Sequence, residues 1–180
     1  MVYVFLANGF EELEATAPID VLRRAGAEVL TVGVGSKQIT SAHNMVYITD
    51  ITAEEIKLTG DIEMIILPGG MPGTKNLENS PEVQAAIDYC AENDKRIAAI
   101  CAAPSILGHK GLLAGRKATC FPGFEKDLTK AEVTGEPVVC DGQFITAKGA
   151  GAALRFALTL TEVLFGREKA MALASSMQYK

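Results

Sequence analysis

The 180-residue chain contains no tryptophan, two histidines, four cysteines and no block of Lys or Arg. Each shortage removes a class of function. The cysteines at 90, 101, 120 and 140 form no C-x-x-C pair and have no histidine at ligand spacing, which speaks against a zinc site and against a disulfide framework. No metal is expected, and the thiols are expected to be reduced. A formal charge of −5, from 17 basic against 22 acidic residues, leaves no electrostatic footprint for nucleic acid. No apolar run approaches the roughly 20 residues that span a bilayer, and the start Met1-Val2-Tyr3-Val4-Phe5-Leu6 lacks the basic residues and length of a signal peptide. These absences lead to the expectation of a soluble cytoplasmic protein with a small-molecule or protein substrate and no membrane partner.

What is present is apolar: 48% of residues, enough for a substantial core, with no Pro/Gly/Ser-rich linker. Residues 1–180 are therefore read as a single domain. Strand-like runs recur at 2–6, 28–34, 64–67 and 97–100, with helical stretches at 11–24 and 81–93 between them. Gly26 stops the first helix, and Ser80 with Pro81 starts the second. Residues 37–48 read as a small hairpin, 138–146 as a hairpin around Asp141-Gly142, and 150–164 and 168–175 as closing helices. The alternation is that of an α/β fold: a mainly parallel central sheet with helices on both faces.

In such sheets the active crevice lies beyond the carboxyl ends of the strands. Three turns fall there: Ala7 to Glu11, Pro68 to Gly73, and Cys101. Cys101 stands where Arg96–Ile100 gives way to the helix-like run Ala102–Leu107. A thiol at that junction meets the first amides of a helix, surroundings that lower a cysteine pKa from about 8.5 to about 3.5–7.5. Cys90, Cys120 and Cys140 are read as small buried hydrophobes.

Phe10, Glu14, Ala17 and Val21 share one helical stripe, so Glu14 falls on an otherwise apolar face. A buried carboxyl tends to hold its proton and can donate it to a thiolate or a substrate oxygen; structural and functional readings of Glu14 stand level. Glu11 and Glu12 are read as complements of the helix dipole. Gly69-Gly70 alone is a tight turn, but opposite Cys101 it lets the Gly70 and Ala102 amides form an oxyanion hole. Gly73-Thr74-Lys75 is not a P-loop and Ala7-Asn8-Gly9 is not a dinucleotide fingerprint, so no nucleotide cofactor is indicated. His109 lies eight residues beyond Cys101, about 12 Å of helix rise, and is placed at a helix C-terminus. His43 is read as an exposed loop residue that only fold or dimer packing would bring near Cys101. A Cys-His-Asp triad is not supported.

Ala99-Ile100-Cys101-Ala102-Ala103-Pro104, Leu67-Pro68-Gly69-Gly70 and Gly9-Phe10-Glu11-Glu12-Leu13-Glu14 together resemble the ThiJ/PfpI superfamily nearly end to end. Lys148-Gly149-Ala150-Gly151 and the ending Phe165 to Ala170 bring the resemblance closest to the branch of the Parkinson disease protein deglycase and its bacterial relatives. The resemblance implies a flavodoxin-like three-layer sandwich, a homodimer, a nucleophile-elbow cysteine at Cys101, a protonated carboxyl partner at Glu14, and backbone contacts from Gly70 and Ala102. Gly69, Asp20 and Phe121 join the expected pocket, with His43 as a further candidate. Two departures matter. Ala102 replaces the His that follows the cysteine in the protease and Hsp31-like branches, and Phe121-Pro122 replaces the His-Pro of animal deglycase-type proteins, leaving Asp20 without that partner. Acid-base duty then falls on Glu14.

The leading expectation is a cofactor-independent enzyme acting on reactive dicarbonyls or their early glycation adducts, of deglycase or glyoxalase III type. The rivals are an oxidative-stress sensor or chaperone with Cys101 oxidised to sulfinate, and a peptidase or amidotransferase-like hydrolase.

Overall fold

The apolar runs close into a seven-stranded sheet in the computed structural model, which describes residues 1–179. In chain order the elements are β1 (Val2–Leu6), α1 (Glu12–Ala25), β2 (Val29–Gly33), β3 (Gln38–Thr40), β4 (Val46–Ile48), β5 (Ile51–Thr52), β6 (Met64–Leu67), α2 (Gly73–Glu78), α3 (Pro81–Glu92), β7 (Arg96–Ile100), α4 (Pro104–His109), β8 (Lys117–Ala118), β9 (Glu132–Val133), β10 (Val138–Asp141), β11 (Phe144–Ala147), α5 (Ala153–Phe165) and α6 (Arg167–Ser176). The sheet runs β10-β11-β7-β6-β1-β2-β5, and every neighbouring pair is parallel except β10 with β11. This is the expected flavodoxin-like α/β arrangement.

Central strand β1 is buried along its whole length, and its alternate side chains feed two cores. Tyr3 and Phe5 join Val83 and Ile87 of α3 and Ile106 and Leu107 of α4. Val2, Val4 and Leu6 join Leu22 of α1 and Phe156 and Leu160 of α5 on the opposite face. Full burial of each large side chain contributes about 1.5–3 kcal/mol, so a register slip in β1 would disturb both cores at once.

Local chemistry sets the helix ends that matter for function. The Glu11 side chain caps α1 by accepting from the Glu14 N–H at 2.8 Å, and Gly26, at φ +93°, closes its other end. Pro18 lies inside α1 and lacks the N–H that would otherwise reach the Glu14 carbonyl.

Strand order reverses between β1 and β6: the chain steps from β1 to β2 on one side and from β6 to β7 on the other. The turns after β1, β6 and β7 therefore meet at one crevice. Three features depart from the sequence reading. Cys101 to Ala103 form a turn, so α4 begins only at Pro104. The short parallel pair β8–β9 has too few residues to show a period. Cys140 is exposed rather than buried, because it lies on the edge strand β10. Among the described residues no helix is long and apolar enough to cross a membrane.

Candidate active site

Cys101 follows β7 directly and has φ +65°, in the left-handed region that costs a non-glycine residue about 1–2 kcal/mol. Main-chain hydrogen bonds hold it there. Its N–H donates to the Ala147 carbonyl at the end of β11 (2.9 Å), and its own carbonyl accepts from the Phe121 N–H (2.8 Å). The Ala103 N–H donates to Ile100 across the bend (3.1 Å). The result is a sharp elbow that leaves the sulfur half-buried at the sheet edge.

Glu14, on α1, is 1% exposed. Its Oε2 accepts from the Gly69 N–H at 2.9 Å, and its carboxyl lies close enough to the Cys101 thiol for each to shift the other's titration. Only glycine fits at position 69: a Cβ there would lie 2.6 Å from the Cys101 Cβ and 2.7 Å from Glu14 Oε2. Gly70 has φ +87°, and a Cβ on it would lie 2.5 Å from the Glu11 nitrogen. The Gly70 and Ala102 amides act on the sulfur and favour its charged form. The two glycines thus divide their labour, one amide on the carboxyl and one on the thiol.

Burial lifts the Glu14 carboxyl to about 7, helped by the Glu11 charge and opposed by the hydrogen bonds from Cys101 and Gly69. Burial also pushes the Cys101 thiol up, to about 12, and the Glu14 carboxylate adds to the rise against the Gly70 and Ala102 amides. The readily ionised thiol expected from a helix N-terminus is therefore corrected. The nearest helix is short and starts three residues later, and a buried carboxylate outweighs two amides. Cys101 and Glu14 act as a pair: one proton leaves near pH 7 and the second is held until about 12. With Glu14 ionising first, the singly protonated pair is mainly carboxylate with thiol, and thiolate with carboxylic acid is its minor arrangement.

The other expected residues are placed as follows. Phe121 contributes its backbone to the elbow, while its ring borders Gly149, where a Cβ would lie 3.2 Å from Phe121 Cδ2 and 4.0 Å from Glu14 Oε1. Asp20 is not brought to the thiol. It is exposed and pairs with Arg24 at 2.8 Å, about 9 Å along α1 from Glu14. His43 also serves another partner: its Nδ1 lies 2.8 Å from Glu12 Oε2, and its N–H donates to Glu12 Oε1 at 2.7 Å. His109 closes α4 as expected and bonds Glu78 at 2.6 Å.

Glu12 is the residue that sequence reasoning missed. It is 3% exposed, accepts from the Ser41 hydroxyl and from His43, and ties the start of α1 to the β3–β4 hairpin. Its partners lie about thirty positions away, so no local pattern announces it. Glu11, Glu12 and His43 bring one ligand atom each within 4.8 Å of one another, but capping and these hydrogen bonds already account for the cluster. Although burial opposes it, the hydrogen bonds from His43 and Ser41 take the Glu12 carboxyl down to about 2. A lowered acid contributes stability that is complete above its ordinary value of 4.5 and is lost as pH falls through about 2. Glu12→Gln is accordingly expected to lose about 1–3 kcal/mol at pH 6 and to narrow its gap to wild type at pH 3, measured by urea denaturation at both pH values.

A mainly parallel α/β sandwich with a cysteine on a strained strand-to-helix elbow, paired with a buried carboxyl, defines a cysteine-elbow protein of the flavodoxin-like class. The chain belongs to the DJ-1/PfpI family, whose model matches residues 1–163, and within it to the DJ-1 branch. DJ-1 homolog B of Arabidopsis thaliana is 36% identical over 97% of this chain. The chain spans only 40% of that relative and 44% of Arabidopsis DJ-1 homolog A, less than half the length of either. A glutathione-independent glyoxalase of Caenorhabditis elegans, DJR-1.2, is 32% identical over 88% of this chain and 85% of its own. Among solved structures, a cysteine-to-alanine mutant of a DJ-1 superfamily protein from Salmonella typhimurium superposes with TM-score 0.94 at 35% identity, covering 99% of this chain and 98% of that one. Oxidised Toxoplasma gondii DJ-1 gives 0.92 at 32% identity, covering 99% and 97%.

Proposed function

We propose that this protein is a cofactor-independent, cysteine-dependent enzyme acting on reactive dicarbonyls or their early glycation adducts, of glyoxalase III or deglycase type. The observation that carries this reading is geometric: Cys101 stands on the elbow at φ +65°, beside the buried Glu14 carboxyl that the Gly69 N–H holds at 2.9 Å. With methylglyoxal, the Cys101 thiolate adds to the aldehyde carbon, the two amides hold the oxyanion, and Glu14 donates its proton to form a hemithioacetal. The Glu14 carboxylate then moves the proton on that carbon to the neighbouring carbon while the hydroxyl proton passes to the ketone oxygen, which converts the adduct to a lactoyl thioester. Water cleaves the thioester to lactate, the Cys101 thiolate and two protons, one of which returns to Glu14 while the other is released. The sum is methylglyoxal plus water to lactate plus one proton, with no external oxidant. The name of the C. elegans relative supports the same chemistry without glutathione. Purified protein is expected to form lactate from methylglyoxal in glutathione-free buffer; formation no faster than in buffer alone overturns the reading.

A second reading, an oxidation sensor, is favoured by the same donors, since Glu14 and the two amides suit a Cys101 sulfinate as well as an oxyanion. The oxidised Toxoplasma relative is consistent with it. Selective dioxidation of Cys101 by limited peroxide, seen by mass spectrometry in protein without dicarbonyl turnover, would move the assignment to this reading. Both histidines are engaged elsewhere, which argues against a peptidase or amidotransferase role. Exposed Met45, Val46 and Ile48 on the β3–β4 hairpin support the homodimer as part of the proposal.

A further inference from the structure

A cleft of about 610 Å³ shares Phe121 and Gly149 with the site just described. Phe121 holds the Cys101 carbonyl through its N–H, and Gly149 packs against the Phe121 ring and Glu14, since a Cβ there would lie 3.2 Å from Phe121 Cδ2 and 4.0 Å from Glu14 Oε1. The cleft thus adjoins the reactive pair through Phe121 and Gly149. Its volume is on the scale of pockets that hold drug-sized ligands, about 300–1,000 Å³, and a three-carbon dicarbonyl occupies a small part of it.

Among the described residues, the charges on its wall are of one sign: Lys148 and Arg155 are the side chains charged at neutral pH that line it, while Phe121, Pro122 and Tyr179 supply apolar surface. Neither cation has a carboxylate within 4.0 Å among the described residues, whereas Arg23, Arg24, Lys110 and Arg116 each do. Lys148 Nζ makes one long contact, 3.4 Å to the Gly135 carbonyl. In a chain of net charge −5, this is a locally positive cleft with both cations available to a ligand. A guanidinium fork and an ammonium point charge beside an apolar wall suit one kind of occupant: an apolar body that ends in a carboxylate.

We propose that Lys148 and Arg155 make the protein selective for 2-oxoaldehydes that carry a carboxylate at the end remote from the carbonyls. The aldehyde carbon meets Cys101, the apolar body lies along Phe121 and Tyr179, and the carboxylate is held by Lys148 and Arg155. This inference rests on the dicarbonyl reading for its substrate class; the cleft's preference for an anion does not.

Phenylglyoxal and 4-carboxyphenylglyoxal differ only in that carboxylate and serve as probes. The wild-type ratio of kcat/KM, carboxylated over neutral, is expected to be about tenfold, since each exposed charge contact is worth severalfold. The preference is expected to reside in KM and to shrink as ionic strength rises. In the Lys148→Gln/Arg155→Gln double variant the ratio falls toward one, and in Lys148→Arg/Arg155→Lys it is retained. A wild-type ratio of one or less overturns the proposal, as does a wild-type ratio preserved in the double Gln variant. Isothermal titration with the corresponding hydroxy acids, mandelate and 4-carboxymandelate, tests the cleft without turnover. Tighter binding of 4-carboxymandelate by about tenfold, lost in the double Gln variant, supports the cleft even where turnover is absent and the dicarbonyl reading falls. Equal affinity for the two acids overturns the cleft assignment even where both glyoxals are turned over.

Discussion

Cys101→Ser is expected to lower kcat/KM for methylglyoxal by on the order of 10³-fold or more, with far-UV circular dichroism and the thermal midpoint close to wild type. The hydroxyl keeps the volume and the elbow contacts, all of which are made by the main chain. It does not keep the chemistry. A thiol can lend its proton to the shared pair with Glu14, whereas a serine hydroxyl is far weaker as an acid and has no histidine here to activate it. A loss smaller than tenfold in initial-rate lactate assays would place the nucleophile elsewhere and end the covalent mechanism.

Glu14→Gln is the second large effect, with an expected loss of about 10²–10⁴-fold in kcat, the range for removal of a positioned proton-transfer group. The amide keeps the shape and can still accept from the Gly69 N–H, but it cannot carry the proton between carbons. The pH dependence separates this role from a structural one. Wild-type kcat/KM should rise as the pair loses its first proton near pH 7 and hold on the alkaline side, because the second proton stays until about 12. In the variant the step near 7 should vanish. Stability carries an independent signature. A carboxyl raised from 4.5 to about 7 in the folded state gives stability that is complete below pH 4.5 and is lost as pH rises through 7. Thermal midpoints of wild type should fall relative to Glu14→Gln between pH 5 and pH 8; parallel curves would show that Glu14 holds no anomalous proton.

The fold was legible because its signals are local and repeated. Val2–Leu6, Met64–Leu67 and Arg96–Ile100 are short apolar runs each ending in a turn, and Ser80-Pro81 and Gly26 punctuate helices by known chemistry. Glu14 and Cys101 were legible for related reasons, a carboxyl on an apolar stripe and a thiol at a strand end. What did not show was anything decided by distance across the fold. The acidity of Cys101 depends first on its burial and then on a carboxylate 87 positions away, and the sequence cannot weigh these against two amides. Glu12 looked like its neighbour Glu11, yet Ser41 and His43 turn it into a buried tether between α1 and the hairpin. Asp20 entered the expected pocket through family resemblance and His43 as a loop histidine that packing could bring near, and each is held by another partner: Arg24 for one, Glu12 for the other.

The Phe121 N–H bond to the Cys101 carbonyl has an evolutionary reading. Because the contact is main chain to main chain, any residue except proline can stand at 121 without loosening the elbow. The side chain there is thus uncoupled from the geometry of the nucleophile while still lining the adjoining cleft. A lineage can exchange an imidazole for a phenyl ring at this point and alter what is admitted without rebuilding what reacts. For an engineer, 121 is the natural first position to randomise.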